Sequence, residues 1–232
     1  MLKSLKNVFV QVCVPDEQDM AEHYRTPAEK TADLVVHVVG LTLAAVGGIV
    51  LAVLAAIYSG IGAVVATSAY ALCLMAMLTA STIYNQTHPC AARPILRRID
   101  EAAIFLMIAG SYTPFTTQRF EGAWAIGFTL LVWTVALAGV AVKLVAPRIS
   151  DAFWSAVYIG FGWLAVLALK PMIDTVHPIA LGLLVLGGLI YTAGVFVFIS
   201  PTVKFRRAIC HGFVVTGATV LVGVVLAPAA MG

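Results

Sequence analysis

Apolar residues in this chain come in long runs, not in the every-third-or-fourth spacing of a helix with one buried face. The runs fall at about 33–58, 61–85, 101–117, 122–143, 152–169, 178–199 and 208–228. A helix needs about 20 apolar residues to cross a bilayer, and most of the runs reach or approach that length. The pattern predicts an all-α membrane protein, a bundle of seven transmembrane helices. Residues 1–32, polar and of mixed charge, form an N-terminal segment, and 33–232 form the membrane domain. Within the first run Gly40, Ala44, Gly48, Ala52 and Ala56 recur at every fourth position. That stripe of small residues would let another helix approach closely. Pro147, Pro171, Pro178 and Pro201 punctuate the links. Pro114, inside Ser111-Tyr-Thr-Pro-Phe115, removes a backbone donor, so the third helix should kink or end there.

Composition agrees and narrows the class. Hydrophobic residues make up 61% of the chain and charged ones 11%, with a mean hydropathy of +0.99, which excludes an ordinary soluble domain. The expected partner is membrane lipid, not nucleic acid, and nothing in the sequence sets an oligomeric state. Cys13, Cys73, Cys90 and Cys210 have no paired spacing and read as reduced thiols. The net charge of +3 matters less than where the charges lie. Lys3, Lys6, Arg25 and Lys30 precede the first run. Arg93, Arg97 and Arg98 lie between runs two and three, Lys143 and Arg148 between four and five, and Lys204, Arg206 and Arg207 between six and seven. All belong to one side, and only Arg119 and Lys170 to the other. The positive-inside rule then places the N-terminus in the cytoplasm and the C-terminus outside, in a bacterial inner membrane.

This orientation gathers the polar residues of the runs at the cytoplasmic end. Ser81 and Asn85, one helical turn apart, close the second run. Asp100 with Glu101 opens the third, and Arg207 and His211 open the seventh. Asp33 and His37 lie at the same level on the first. A carboxylate at that depth requires a partner. Ser81, Asn85, Asp100, Arg207 and His211 are therefore expected to line one intramembrane pocket, with Asp33, His37, Tyr84 and Tyr112 as further members. Arg207 suits a carboxylate, and an Arg207–Asp100 pair is expected.

Several motifs carry a family resemblance. They are Asp33-x-x-x-His37-x-x-Gly40, Ser81-x-x-Tyr84, Arg97-Arg98-x-Asp100, IAGSYTPF at 108–115, GGLIYTAGVFVF at 187–198, and Cys210-His-Gly-Phe-Val214. In this order the chain resembles the hemolysin III family of the progestin and adipoQ receptor (PAQR) superfamily. That resemblance implies a seven-helix, N-inside fold, with relatives that look like zinc-dependent amide hydrolases. It makes Ser81, Asp100 and His211 the candidate catalytic residues. The superfamily's Ser-xxx-His of the second span reads Ser81…Asn85 here, and its His-xxx-His of the seventh reads Arg207…His211. Two of three implied zinc ligands are thus an amide and a guanidinium, poor company for zinc. No cofactor is expected, and His211 is the one ligand position left for zinc. The function expected is membrane lipid homeostasis or sensing through the pocket. The alternatives are a ceramidase-like lipid amide hydrolase and a pore-forming hemolysin.

Overall fold

The computed structural model describes residues 23–145 and 149–230, and every regular element in them is helical. Lys3, Lys6, Cys13 and Arg148 lie outside the described residues. The helices are α1 (Pro27–Tyr58), α2 (Ile61–Gln86), α3 (Arg93–Gln118), α4 (Gly122–Val145), α5 (Asp151–Gly162), α6 (Leu169–Thr175), α7 (Pro178–Ile199) and α8 (Arg206–Ala230). A 3₁₀ stretch, Trp163–Ala168, joins α5 to α6. Six spans among the described residues are long and apolar enough to cross a membrane, counting Asp151–Thr175 as one. Their outward faces remain apolar, as Ile49, Ile61 and Leu72 illustrate at 65–80% exposed.

The remaining helix, α3, is long enough but not apolar enough, because Arg93, Arg97, Arg98, Asp100 and Glu101 fill its first turns. It starts eight residues before the run at 101 because Pro94 sits in its first turn, where a missing N–H costs nothing. The three arginines expected in a loop are therefore helical. Packed between α2 and α4, α3 shows little surface to lipid, which is what lets it carry charge. It also runs one turn past Pro114 to Gln118, so the proline does not end it. Threonine hydroxyls serve the nearby backbone: Thr113 donates to Ala109 O and Thr117 to Thr113 O.

Helix α1 is capped by Thr26, whose hydroxyl accepts from Glu29 N, with Pro27 following. Its buried face runs Asp33, His37, Gly40, Ala44, Leu51, Ala55. The small-residue stripe holds only at its start. A four-residue repeat drifts about 40° per step against a helix of 3.6 residues per turn, so Ala56 has rotated out to the exposed side. Where the stripe does face inward, contact is close. A Cβ on Gly40 would lie 2.6 Å from Val215, and one on Gly48 2.7 Å from Ala71.

Neighbours pack in the order α4–α3–α2–α1–α8–α7, and the fifth span, α5 to α6, closes the ring loosely between α7 and α3. Its 3₁₀ stretch frees backbone groups that Tyr112 collects. The Tyr112 hydroxyl donates to Gly162 O at 2.6 Å and accepts from Ala165 N at 2.9 Å. Trp163 Nε1 donates to Thr192 Oγ1 on α7 at 3.1 Å. Pro171, expected in a link, instead lies in the first turn of α6.

Candidate functional site

Antiparallel succession brings the N-termini of α1, α3, α5 and α8 to one end of the bundle with the C-terminus of α2. Asp33, Ser81, Asn85 and His37 meet there, all at most 4% exposed. Their hydrogen bonds run in one direction. Arg207 donates from Nη1 to Asn85 Oδ1 at 3.0 Å. The Asn85 amide donates to Ser81 O at 3.0 Å and to Ser81 Oγ at 3.2 Å. His37 donates from Nδ1 to the Asp33 carbonyl at 2.8 Å, and His211 from Nδ1 to Asp33 Oδ1 at 2.6 Å. Both Nε2 atoms face the Ser81 hydroxyl, His37 at 3.2 Å and His211 at 3.4 Å. The Tyr24 hydroxyl adds a donor to Asp33 Oδ2 at 2.6 Å. A buried carboxylate requires this much: Asp33 accepts from Tyr24 and His211 and lies 3.3 Å from His37 Nδ1.

Asp33 is thus the acid that takes the paired role. No hydrogen bond or ion pair joins Arg207 to Asp100. The expected pair is replaced by Arg207 on Asn85 and on His23 Nδ1, the latter at 3.3 Å. Asp100 stands next to the Ser81 hydroxyl. Its neighbour Glu101 belongs to a separate charge cluster, accepting from Arg97 at 2.7 Å and pairing with Lys143, while Arg97 also reaches Asp151. Lys143 is only 7% exposed in its side chain and lies over the Trp154 ring, so it is a packed ion-pair member, not a loop charge.

A cavity of about 760 Å³ opens beside this network, within the size range of small-molecule sites, about 300–1,000 Å³. Ser81, Tyr84, Asn85, Asp100, Tyr112, Arg207 and His211 line it. Asp33 and His37 do not: they stand behind Ser81 and His211 and hold them. The rest of the wall is mostly apolar, including Ile104, Met107, Phe128, Trp154, Leu184 and Phe198. The loose fit of the fifth span makes the space.

The chemistry available is constrained by the hydrogen bonds. Carboxylate, imidazole and hydroxyl follow one another in the order that activates a nucleophile. Yet Ser81 Oγ already receives the Asn85 N–H and faces a second imidazole, so it is held in the network.

A family model described as "Haemolysin-III related" matches residues 26–222. The chain belongs to the haemolysin-III related family. It is 31% identical over 198 residues to a hemolysin-3 homolog of Bacillus subtilis (strain 168), covering 84% of this chain and 92% of that one. To hemolysin-3 of Bacillus cereus it is 31% identical over 195 residues, covering 83% and 88%. No solved structure matches. In this haemolysin-III relative the zinc positions at Asn85 and Arg207 that the sequence resemblance implies do not fit a metal. Arg207 and Asn85, standing where two histidines are implied, are bonded to each other, and a fixed cation occupies that corner. Asp33, His37 and His211 are a cluster of zinc-type donors, with ligand atoms within 4.8 Å of one another. Their Nδ1 atoms and the Asp33 carboxylate are engaged with one another in a hydrogen-bonded network.

Sequence reasoning missed His23 and Tyr24. His23 packs edge-on to Tyr84 with ring centroids 5.0 Å apart. Burial first, then the charge of Arg207, lower its imidazole to about 2, so the ring is neutral. The periodicity of the runs carries no information about a residue ahead of the first helix, and only the turn before Thr26 brings it back over α8.

Proposed function

We propose that this haemolysin-III related protein binds a membrane lipid in the cavity and serves membrane lipid homeostasis or sensing. The observation that carries the reading is the continuity of a largely apolar space of about 760 Å³ with a buried polar network at one end. An acyl chain matches the apolar wall, and a polar lipid group matches the end at Ser81, Asn85, Asp100 and His211. In this reading Arg207 and Asp33 supply the charge of the network. Filling the cavity should displace the ligand. Protein purified in mild detergent carries lipid detectable by mass spectrometry, and Ile104→Trp reduces it several-fold while leaving the fold intact. Lipid retained in full by that variant removes the cavity from the account.

The site faces the cytoplasm of a bacterial inner membrane in this reading. Arg25, Lys30, Arg93, Arg97, Arg98, Lys143, Lys204, Arg206 and Arg207 all belong to the end of the bundle that holds the network. Seven crossings then place the C-terminus outside. A reporter fused after Gly232 reads as periplasmic and one inserted near Ala91 as cytoplasmic. The reverse pattern would turn the site to the outer leaflet.

A further inference from the structure

A second, smaller pocket of about 140 Å³ lies at the same end, between the start of α1 and the start of α8. It shares His23, Arg206 and Arg207 with the large cavity, so the two spaces adjoin. Its polar groups are unbalanced toward donors. Arg206 has no hydrogen-bond or ion-pair partner among the described residues. The Arg207 Nε–H is buried without a partner among the described residues, although its terminal nitrogens are used. Neutral His23 accepts Arg207 on Nδ1 and so carries its proton on Nε2, which is also buried without a partner among the described residues. Arg25 adds a third guanidinium, spent in part on Pro201 O at 2.9 Å.

Glu29, the one carboxylate among the described residues of the pocket, does not answer these donors. Its oxygens accept from the backbone amides of Arg25 at 2.8 Å and Phe205 at 3.3 Å. The second bond holds Phe205 at φ 55°, left-handed backbone that a phenylalanine adopts only under constraint. That residue sets the start of α8, whose first-turn amides carry the positive end of a 25-residue helix dipole. A buried guanidinium N–H and a buried imidazole N–H left unmet are costly, and an acceptor-rich anion meets both.

We infer that His23, Arg206 and Arg207 form a binding site for a phosphate group, placed so that a phosphate-bearing lipid seats its headgroup here and an acyl chain in the adjoining cavity. The lipid half rests on the function proposed above; the phosphate half does not. Phosphate suits the site because guanidinium forks and helix-end amides both match its oxygens. The pocket is too small for a whole lipid, and the junction with the cavity lets chain and headgroup separate.

The test uses the full chain, delipidated in detergent, in three arms. Phosphatidylglycerol, diacylglycerol and inorganic phosphate are added separately, and binding is read by native mass spectrometry and thermal shift. Phosphatidylglycerol binds and stabilises, and Arg206→Gln weakens it about tenfold or more, the loss of one charge-assisted contact. Arg206 bonds to no described residue, so this variant folds; Arg206→Lys recovers part of the affinity. Diacylglycerol binding is unchanged in Arg206→Gln, because it lacks the phosphate. Stabilisation by inorganic phosphate that is also lost in Arg206→Gln supports the site and identifies free phosphate as one source. Phosphatidylglycerol bound equally by wild type and Arg206→Gln overturns the inference and leaves the lipid cavity standing. If neither lipid binds, the cavity reading falls, and the inorganic phosphate arm alone decides the phosphate site.

Discussion

Asp33→Ala unfolds the bundle at markedly milder conditions than wild type, with a loss of about 3–5 kcal/mol, the typical result of removing one partner from a buried charged network. Asp33 is fully buried and accepts from Tyr24 and His211 while sitting against His37. Alanine leaves the Tyr24 hydroxyl and the His211 Nδ1–H without an acceptor and opens a gap between α1 and α8. Tyr24→Phe, which removes one donor and leaves no unmet group except one lone pair of Asp33, costs only about 1 kcal/mol. Unfolding in detergent, followed by helical circular dichroism against denaturant, gives both values. An Asp33/His211 double-mutant cycle should show coupling of about 0.5–3 kcal/mol, as groups in direct contact do. An Asp33→Ala change within 1 kcal/mol of wild type would show that the network is not what ties α1 to α8.

Installing the two histidines that the superfamily resemblance implies should create a zinc site. In Asn85→His/Arg207→His the guanidinium is gone, and two imidazoles join His211 at the ends of α2 and α8. Three neutral imidazoles are a standard zinc set, open to a fourth ligand. Elemental analysis of the purified double variant is expected to find about one equivalent of zinc, against far less in wild type. Added zinc stabilises the variant by about 2.7 kcal/mol at a hundredfold excess over the dissociation constant. Asn85→His alone fails, because it sets an imidazole against the retained Arg207 charge. If wild type itself carries one equivalent, lost on His37→Ala, then Asp33, His37 and His211 form a metal centre and the metal-free reading is wrong.

The sequence by itself determined the class, most of the spans and the end of the bundle at which polar residues collect. Lipid-length apolar runs have few alternatives, since every backbone group in a bilayer must be bonded within its own helix. It also placed Ser81, Asn85, Asp100, Arg207 and His211 at one depth, because alternating crossings fix which ends share a side. What it left open was who bonds to whom. Arg207 and Asp100 share a level, but depth says nothing about azimuth around the bundle. Packing of α8 against α1 aims Arg207 at Asn85 and gives Asp33 to His211. The small-residue stripe was legible for its first three members and then lost to helical drift. The charged start of α3 was misplaced into a loop because run length presumes lipid on every side, whereas α3 is wrapped by protein. The size and apolar wall of the cavity, the smaller pocket at the start of α8 and the roles of His23 and Tyr24 belong to the tertiary structure alone. They arise where the fifth span fits loosely and where the turn before α1 folds back over α8, and neither follows from a one-dimensional pattern of polarity.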